Sequence, residues 1–238
     1  MVQGVQEEPL GFSFFMPFYN ELDCLPAAIE ELLEAFAPLR SSGLEIVLVD
    51  DGSHDGSEIV ADRYAEEHDV VRVVRHERNL GYGTAVCTGF RSARGRIVAY
   101  GDADLPVAPS DYLEGLRRMG SADVMLGYPT GHVQRRLRRF YTRGYNRLIR
   151  HLFGVKVVNV NFSFKLLRRE VVQRLSLDAT SGFVDAQIVV EASRSGAVFD
   201  EMPVVYRERT AGRSHFDSPL AAVPTGKEAL TWWLANRR

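Results

Sequence analysis

The sequence predicts an α/β fold, in which a mostly parallel sheet is flanked by helices and followed by C-terminal amphipathic helical segments. Three observations lead to this prediction. In the N-terminal half, short apolar runs alternate with segments of helical periodicity. These runs are continuously apolar, which is typical of strands buried on both faces of a parallel sheet. Further along, an arginine-rich segment and the C-terminal segment also have helical character.

The first two predicted strands are separated by an amphipathic helix. GFSFFM is a short apolar run that Pro17 closes. From Leu22 onward, apolar residues recur at the spacing of one helix face: Leu25, Ile29, Leu32, Leu33 and Phe36. LEIVLV is the second strand, and the polar turn DDGS ends it.

The next elements repeat this alternation. Residues 57–67 form a polar helix that carries Ile59, Val60 and Tyr64. VVRVV is the third strand, and residues 83–93 are expected to form the helix that follows it. IVAY is the fourth strand, so four apolar strands are separated by helices, as a parallel sheet requires.

Composition excludes several classes of protein. The chain has 238 residues, 45% of them hydrophobic, which suits one large globular domain, and its net charge of −2 argues against nucleic-acid binding. Cys24 and Cys87 lack metal-ligand spacing and are expected to be buried, reduced thiols of a cytoplasmic protein. The N-terminus lacks the features of a signal peptide, and no run approaches the ~18 apolar residues of a spanning helix. We therefore expect a protein that is soluble or lies on a membrane surface.

Polar or glycine-rich clusters follow the four strands: PFYNE, DDGS, NLGYG and DAD. In open parallel sheets, ligands bind beyond the carboxyl ends of the strands. Five carboxylates are expected around this edge, those of Glu21, Asp50, Asp51, Asp102 and Asp104. They would repel one another unless a divalent cation or donors from a ligand compensate their charge. The alternatives are an ordinary polar turn at the DAD cluster and capping of the next helix by the DDGS cluster.

The glycines of NLGYG allow a tight turn or a close approach of the backbone to a ligand. They do not form a dinucleotide fingerprint, because Thr84, Ala85 and Val86 follow Gly83 without the third small residue at its position. The sequence also has no P-loop pattern. Hydride transfer and nucleoside triphosphate hydrolysis are therefore poorly supported.

Four motifs occur in the order PFYNE, LVDDGSHDGS, NLGYGTA and GDADLPVAP. In this order and spacing, the sequence resembles the family 2 glycosyltransferases of the GT-A fold. The nearest subgroup is the dolichol-phosphate mannosyltransferase-like, or polyprenyl-phosphate glycosyltransferase, enzymes. Further matches are RRFYTRGYN, FSFKLLRREVV, GFVDAQIVVEA and RTAGRSH, so that the resemblance runs from about Phe12 to His215.

The resemblance implies a nucleotide-sugar site with a divalent cation, Mg²⁺ or Mn²⁺. The residues that would frame the base and ribose are Pro17, Tyr19, Glu21, Val49 and Asp51. Asp102, Ala103 and Asp104 would hold the ribose and the metal that bridges the diphosphate, with both aspartates as metal ligands. Such a cation neutralises charge on the leaving group as the glycosidic bond breaks. Arg209 and His215 of RTAGRSH would approach the diphosphate.

The arginine-rich segment, residues 134–152, predicts a helix with two different faces. At about 100° per residue, one face carries Arg135, Arg139, Arg143, Arg147 and Arg150. The opposite face carries Leu137, Tyr141, Tyr145, Leu148 and Leu152. This pattern suits an anionic membrane surface or a lipid phosphate, and a solvated face of a helix packed on the domain is the alternative.

Three arginines are predicted to bind the acceptor phosphate: Arg135, Arg136 and Arg139. The guanidinium group suits paired phosphate oxygens. Near the C-terminus, Trp232 and Trp233 are expected either at a membrane interface or packed against the domain.

Asp185, in GFVDAQIVVEA, is a candidate general base and is grouped with Asp104 as catalytic. A hydroxyl acceptor needs such a base, whereas a phosphate acceptor is already ionised and depends more on positioning. The alternative for Asp185 is an acid at a helix N-terminus. The sequence departs from the family pattern at Pro106, Pro129, Gln187 and His215.

The predicted function is metal-dependent, inverting transfer of a hexose from a nucleotide sugar of the GDP-mannose or UDP-glucose type to a polyprenyl phosphate at the cytoplasmic membrane face. The alternatives are a transferase with a soluble hydroxyl acceptor and a catalytically silent nucleotide-sugar-binding protein. The expected organisation is an extended or disordered segment 1–11, a GT-A domain 12–216 and an amphipathic helix 217–238. Within the domain, the nucleotide-sugar half covers about 12–128 and the acceptor half about 129–216.

Overall fold

The computed structural model describes residues 11–130, 136–207 and 222–236, without the side chains of residues 136–142 and 222. Its strands are β1 (Phe12–Phe18), β2 (Leu44–Asp50), β3 (Val71–Arg75), β4 (Ile97–Tyr100), β5 (Val124–Thr130), β6 (Lys165–Arg168) and β7 (Phe199–Val205). Over these residues they form one 7-stranded sheet in the order β3-β2-β1-β4-β6-β5-β7. Strand β6 runs antiparallel to both neighbours, and the other neighbouring pairs are parallel. The predicted fold class is confirmed.

The helices predicted over residues 57–67, 83–93 and 134–152 begin and end within two residues of those bounds. The helices of the structure are α1 (Leu25–Ala35), α2 (Ser57–Glu67), α3 (Tyr82–Ser92), α4 (Pro109–Arg118), α5 (Arg136–Phe153), α6 (Arg169–Val172), α7 (Val184–Arg194) and α8 (Ala222–Ala235). A 3₁₀ helix, Ala37–Ser42, follows α1. None of these described helices is long and apolar enough to cross a bilayer.

Side chains of the central strands enter two apolar cores, one on each face of the sheet. Along β1, Phe15 packs with residues of α3 and α7, whereas Phe14 and Met16 pack with residues of α1. Every residue of β1 and β2 is buried, because successive side chains of a strand point to opposite faces and both faces are covered. This explains the continuously apolar runs in the sequence.

The register of the parallel strands brings three loops to one edge of the sheet. Phe18 at the end of β1 pairs with Asp50 at the end of β2, and β4 ends at Tyr100 opposite Phe15. The segments that follow β1, β2 and β4 therefore leave the sheet on the same side. These segments contain the PFYNE, DDGS and DAD clusters.

Helix α5 exposes residues of both predicted faces. Arg143, Arg147 and Arg150 are exposed, as expected for the basic face. Leu148, which lies on the predicted apolar face, is 43% exposed. Asn146 is buried instead, because its Oδ1 accepts the amide of Val160 at 2.8 Å. The side chains of Arg136, Leu137, Arg139 and Tyr141 lie outside the description.

Helix α8 packs against the domain through both tryptophans. The Trp232 ring lies 5.6 Å from Phe153 and 5.9 Å from Phe183, centroid to centroid. Trp233 Nε1 donates to the carbonyl of Leu152 at 2.9 Å. Of the two placements left open by the sequence, the structure has the tryptophans at an intramolecular interface.

The two cysteines differ in environment. Cys87 is buried, as predicted, and burial raises the pKa of its thiol to about 11. Cys24 is only half-buried and precedes α1 as its N-cap residue, so the prediction of a buried thiol is wrong there. Its Sγ lies 3.2 Å from Glu21 Oε2.

Candidate functional site

The loop after β1 is attached to the loop after β2. Asn20 has a positive φ of 52°, and its Oδ1 accepts the amide of His54 at 3.0 Å. The Glu21 amide donates to Ser57 Oγ at 3.0 Å. The Tyr19 ring lies 5.9 Å from the His54 ring. The structure therefore brings the predicted base-framing residues Tyr19 and Glu21 next to the DDGSHDGS segment.

Asp50 does not belong to the carboxylate cluster predicted from the sequence. It is fully buried, and its Oδ2 forms an ion pair with Arg75 Nε at 2.8 Å. Its Oδ1 accepts the Ser53 amide at 2.8 Å within the turn before α2, whose N-cap residue is Gly56 and not one of the two aspartates. Because Arg75 compensates the charge of Asp50 within the protein, the prediction that a cation or donors from a ligand compensate five carboxylates is wrong for Asp50.

Asp51 holds the glycine-rich loop. Its Oδ1 accepts the Leu80 amide at 2.8 Å, and its Oδ2 accepts the Gly81 amide at 2.9 Å. His76 Nδ1 lies 2.7 Å from the same carboxylate, and His76 Nε2 lies 2.9 Å from Thr88 Oγ1. Sequence reasoning missed His76. The buried carboxylate of Asp51 thus ties the end of β2 to the turn that begins α3.

The glycines of NLGYG approach the protein's own backbone. Gly81 has a φ of 98°, and the Gly83 amide donates to the Thr180 carbonyl at 3.0 Å. A Cβ atom added to Gly83 would lie 2.5 Å from the Ala179 carbonyl oxygen, closer than real Cβ atoms come. Of the two uses suggested by the sequence, these contacts show a turn that packs on residues 179–181.

The DAD segment presents two acids over a buried turn. The Leu105 amide donates to the Asp102 carbonyl at 3.0 Å, and Leu105 adopts a positive φ of 41°, which is uncommon outside glycine. Ala103 and Leu105 are buried, whereas the side chains of Asp102 and Asp104 are only partly buried. Tyr82 donates its hydroxyl to Asp102 Oδ1 at 3.0 Å.

Asp102 lies in an environment with excess negative charge. Burial raises the pKa of its carboxyl to about 7, and the charges of Asp104 and Asp185 add to this shift. Hydrogen bonds from Ser163 and Tyr82 oppose it. Asp102, Asp104 and Asp185, hereafter the acid group, are therefore close enough for the charges of the last two to act on the first.

Asp185 lies in the first turn of α7, buried in an ion pair. Lys165 Nζ is 2.5 Å from Asp185 Oδ1, and the Tyr100 hydroxyl donates to the same oxygen at 2.5 Å. Lys165 Nζ also donates to the Phe162 carbonyl at 2.6 Å. Sequence reasoning missed Lys165 and Tyr100. A lysine within the apolar run FSFKLL was the available signal, since a buried lysine requires a partner.

The remaining predicted site residues have different positions. Pro17, Val49 and Ala103 are buried in the sheet or beneath the DAD turn, and the Val49 side chain belongs to the core. Arg136 and Arg139 lie in the first turn of α5. Arg135, Arg209 and His215 lie outside the described residues. Gln187 is fully buried, and its Oε1 accepts the Ala179 amide at 3.0 Å, so it supports the loop before α7.

The donor set fits a hard divalent cation. Mg²⁺ and similar ions take oxygen ligands and are often held by one or two carboxylates together with substrate phosphates. Asp102 and Asp104 offer such oxygens, and their mutual repulsion would be relieved by a cation. Within the described ranges no group of three or more His, Cys, Asp or Glu side chains could enclose a metal. Further ligands would therefore come from a bound phosphate or water.

A family model described as Glycosyl transferase family 2 matches residues 13–176, more than half of the chain. The chain belongs to this family. The matched region contains the DAD segment, the glycine-rich turn and Lys165, whereas Asp185 lies beyond it.

Curated proteins similar to this family member include three glycosyltransferases. Glycosyltransferase AglD of Haloferax volcanii is 30% identical over 233 residues, which are 93% of this chain and 37% of that protein. The undecaprenyl-phosphate 4-deoxy-4-formamido-L-arabinose transferase of Aeromonas hydrophila is 31% identical, over 86% of this chain and 62% of that protein. The dodecaprenyl-phosphate galacturonate synthase of Rhizobium johnstonii is 30% identical, over 88% of this chain and 62% of that protein. The chain thus spans 37% to 62% of the length of these relatives.

Solved structures share the fold of this family member. The complex of glucosyl-3-phosphoglycerate synthase from Mycobacterium tuberculosis with Mn²⁺ and UDP-glucose superimposes with a TM-score of 0.70. It is 20% identical, and the match covers 95% of this chain and 79% of that one. A second structure, described as a mycobacterial protein, has a TM-score of 0.72 at 19% identity. The match covers 95% of this chain and 75% of that one. The GT-A architecture expected from the sequence is therefore the observed one.

Proposed function

We propose that this chain is a metal-dependent, inverting glycosyltransferase that moves a hexose from a nucleotide sugar to a polyprenyl phosphate at the cytoplasmic face of a membrane. The observation that carries the proposal is the group of three acids at the sheet edge, formed by Asp102, Asp104 and Asp185. Their negative charge exceeds the positive charge of the buried Lys165 beside them. An excess of this kind suits a site for a cation with a diphosphate.

The donor would bind along the loops of the first half of the sheet, in the nucleotide-sugar half of about 12–128. Tyr19 and Glu21 would contact the base and ribose, at the loop that is hydrogen-bonded to Ser57. Asp102 and Asp104 would hold Mg²⁺ or Mn²⁺, which would neutralise the diphosphate as it leaves. The Mycobacterium tuberculosis neighbour binds UDP-glucose with Mn²⁺, which supports a donor of this class.

The environment of Asp185 favours a phosphate acceptor over a hydroxyl acceptor. Its Oδ1 already accepts hydrogen bonds from Lys165 and Tyr100, so this oxygen serves to hold the site together. A phosphate oxygen is ionised at neutral pH and needs no base to attack the anomeric carbon as the bond to the diphosphate breaks. Two of the similar curated proteins are named for undecaprenyl or dodecaprenyl phosphate, which supports the same acceptor class.

The acceptor half, about 129–216, would provide the cationic surface. Arg143, Arg147 and Arg150 of α5 are exposed on the helix face where the sequence also has Arg135 and Arg139. Such a face attracts anionic lipid headgroups, at about 1 kcal/mol per basic residue near the surface. We therefore propose peripheral contact between α5 and an anionic membrane, with the predicted acceptor-phosphate arginines at its N-terminal end.

The test is turnover of GDP-mannose and UDP-glucose with Mn²⁺, each with and without a short polyprenyl phosphate. We expect lipid-dependent release of the nucleoside diphosphate, reduced at least about 100-fold by Asp104→Ala. Asp69→Ala, which changes an exposed acid after α2, is the matched control and should leave turnover unchanged. Turnover that ignores the lipid would support a hydroxyl acceptor instead. Absence of nucleotide binding would overturn the proposal.

A further inference from the structure

Helix α8 is connected to the segment 179–183 through the carboxylate of Glu228. Its Oε1 accepts the Thr180 amide at 2.8 Å and the Thr180 hydroxyl at 3.1 Å. Its Oε2 accepts the Ser181 amide at 3.1 Å and also the Ser181 hydroxyl. Hydrogen bonds to an ionised acceptor are about twice as strong as neutral ones. One side chain of α8 thus holds the backbone and side chains of two successive residues.

The segment held by Glu228 packs directly on the glycine-rich turn. The Gly83 amide donates to the Thr180 carbonyl at 3.0 Å, and a Cβ on Gly81 would lie 2.8 Å from the same oxygen. Tyr82 lies between these glycines and donates its hydroxyl to Asp102 Oδ1. A shift of segment 179–183 would therefore move the turn that aims Tyr82 at Asp102.

The same segment also leads into the helix of the second buried acid. Ser181 Oγ accepts the Phe183 amide at 3.2 Å, and the Ser181 carbonyl accepts the Val184 amide at 3.2 Å. Asp185 is the next residue along α7. The placement of Asp185 against Lys165 thus depends on where this helix begins.

We propose that Glu228 is a positioning residue for the acid group, acting on Asp102 through Tyr82 and on Asp185 through the start of α7. Its consequence for turnover rests on the proposed function, whereas the coupling between α8 and the glycine-rich turn does not. On this proposal, the contact between α8 and the segment 179–183 contributes to catalysis, although Glu228 lies beyond the residues that the family model matches.

The kinetic test compares Glu228→Ala and Glu228→Gln with Lys227→Ala, an exposed neighbour on the same helix. Each protein is assayed well below its own melting temperature, so that loss of stability alone does not affect the rate. We expect kcat to fall about tenfold or more in both Glu228 variants, since small misplacements of reacting groups are costly. KM for the nucleotide sugar should change less than about threefold, and Glu228→Asp should restore part of kcat.

A double-mutant cycle sharpens the comparison. Ser181→Ala removes one donor to Glu228, and its effect on kcat should not add to that of Glu228→Ala, because both act through the same contact. Full additivity, or kcat values within about twofold of the unchanged protein for all Glu228 variants, would overturn the proposal.

Hydrogen exchange tests the coupling without any assay of activity. In Glu228→Ala, amide exchange should accelerate at 179–183 and also at 80–84, whereas Lys227→Ala should change neither. If amide exchange in Glu228→Ala also accelerates at 80–84 but the unchanged protein turns over no nucleotide sugar, the proposed function is wrong and the coupling is supported. Acceleration confined to 179–183 overturns the coupling, whatever the activity.

Discussion

Lys165 Nζ lies 2.5 Å from Asp185 Oδ1, and the lysine is fully buried. Desolvation lowers the pKa of Lys165, and the charge and hydrogen bond of Asp185 oppose that shift. The pair joins strand β6 to helix α7 beneath the acids of the DAD segment. A buried charge in this position is tolerated because its partner and the Phe162 carbonyl satisfy it.

Replacing Lys165 should destabilise the protein strongly. In Lys165→Met, Asp185 loses its buried counter-charge, for which the expected cost is about 3–5 kcal/mol of unfolding free energy. Urea denaturation measures this as a lower midpoint at an unchanged slope. Lys156→Met, at an exposed lysine, is the control and should have little effect.

The ion pair can be separated from simple packing by a second change. Adding Asp185→Asn to Lys165→Met removes the unpaired charge, so the double variant should be more stable than the sum of the single changes predicts. A double variant whose loss equals that sum would contradict a paired role for the two residues.

Two glycine-to-alanine changes should have opposite effects on stability. At Gly83, the new Cβ would lie 2.5 Å from the Ala179 oxygen and 2.6 Å from the Ser181 oxygen, so Gly83→Ala should cost about 1–3 kcal/mol or more. At Gly144, within α5, a Cβ meets nothing within 4 Å. There alanine should stabilise the helix by about 0.5–1 kcal/mol.

Thermal unfolding monitored by circular dichroism measures both changes under the same conditions. If Gly83→Ala were stabilising, the glycine-rich turn and the segment 179–181 would have to lie farther apart in solution than the structure places them. Gly144→Ala serves as the control, because it adds the same methyl group without a backbone neighbour.

The contribution of Glu228 to stability should disappear in acid. Burial raises the pKa of this carboxyl, but the hydrogen bonds from Ser181 and Thr180 outweigh burial and lower it overall. A pKa that is lower in the folded state adds stability above the unfolded value, near 4.5, and this stability is lost as the pH falls through the folded value. The difference in unfolding free energy between the unchanged protein and Glu228→Gln should therefore shrink below about pH 4.5.

This pH dependence is measured by urea unfolding of both proteins across the acid range. Glu66→Gln, at an exposed glutamate of α2, provides a control in which the difference should stay small throughout. A difference for Glu228→Gln that grows as the pH falls would contradict the assignment of Glu228 as an ionised acceptor.

Much of the first half of the fold could be predicted from local pattern. Helix α2 spans the predicted residues 57–67, and strand β4 coincides with IVAY. These segments read clearly because strands covered on both faces are continuously apolar and the intervening helices are amphipathic. The Asp102 and Asp104 pair was likewise visible from its place directly after a strand.

Helix α5 and the acid group show where local pattern is insufficient. Periodicity identified an amphipathic helix, but no periodic rule anticipates that Leu148 is exposed while Asn146 is buried and accepts the Val160 amide. Asp50 and Asp51 look equivalent in sequence, yet Arg75 compensates one and the turn at Leu80 and Gly81 uses the other. Their separate roles depend on partners that lie 25 to 30 positions away.

The sequence by itself determined the fold class, the family resemblance and the sheet edge at which the acids gather, because these follow from apolar periodicity and from short motifs beside strand ends. The tertiary structure alone decided that Lys165 balances Asp185 and that Glu228 of α8 holds the segment between the glycine-rich turn and α7. The physical reason is that charge compensation depends on distance in space. Strand pairing and helix packing bring together side chains separated by 20 positions in the first case and 47 to 48 in the second.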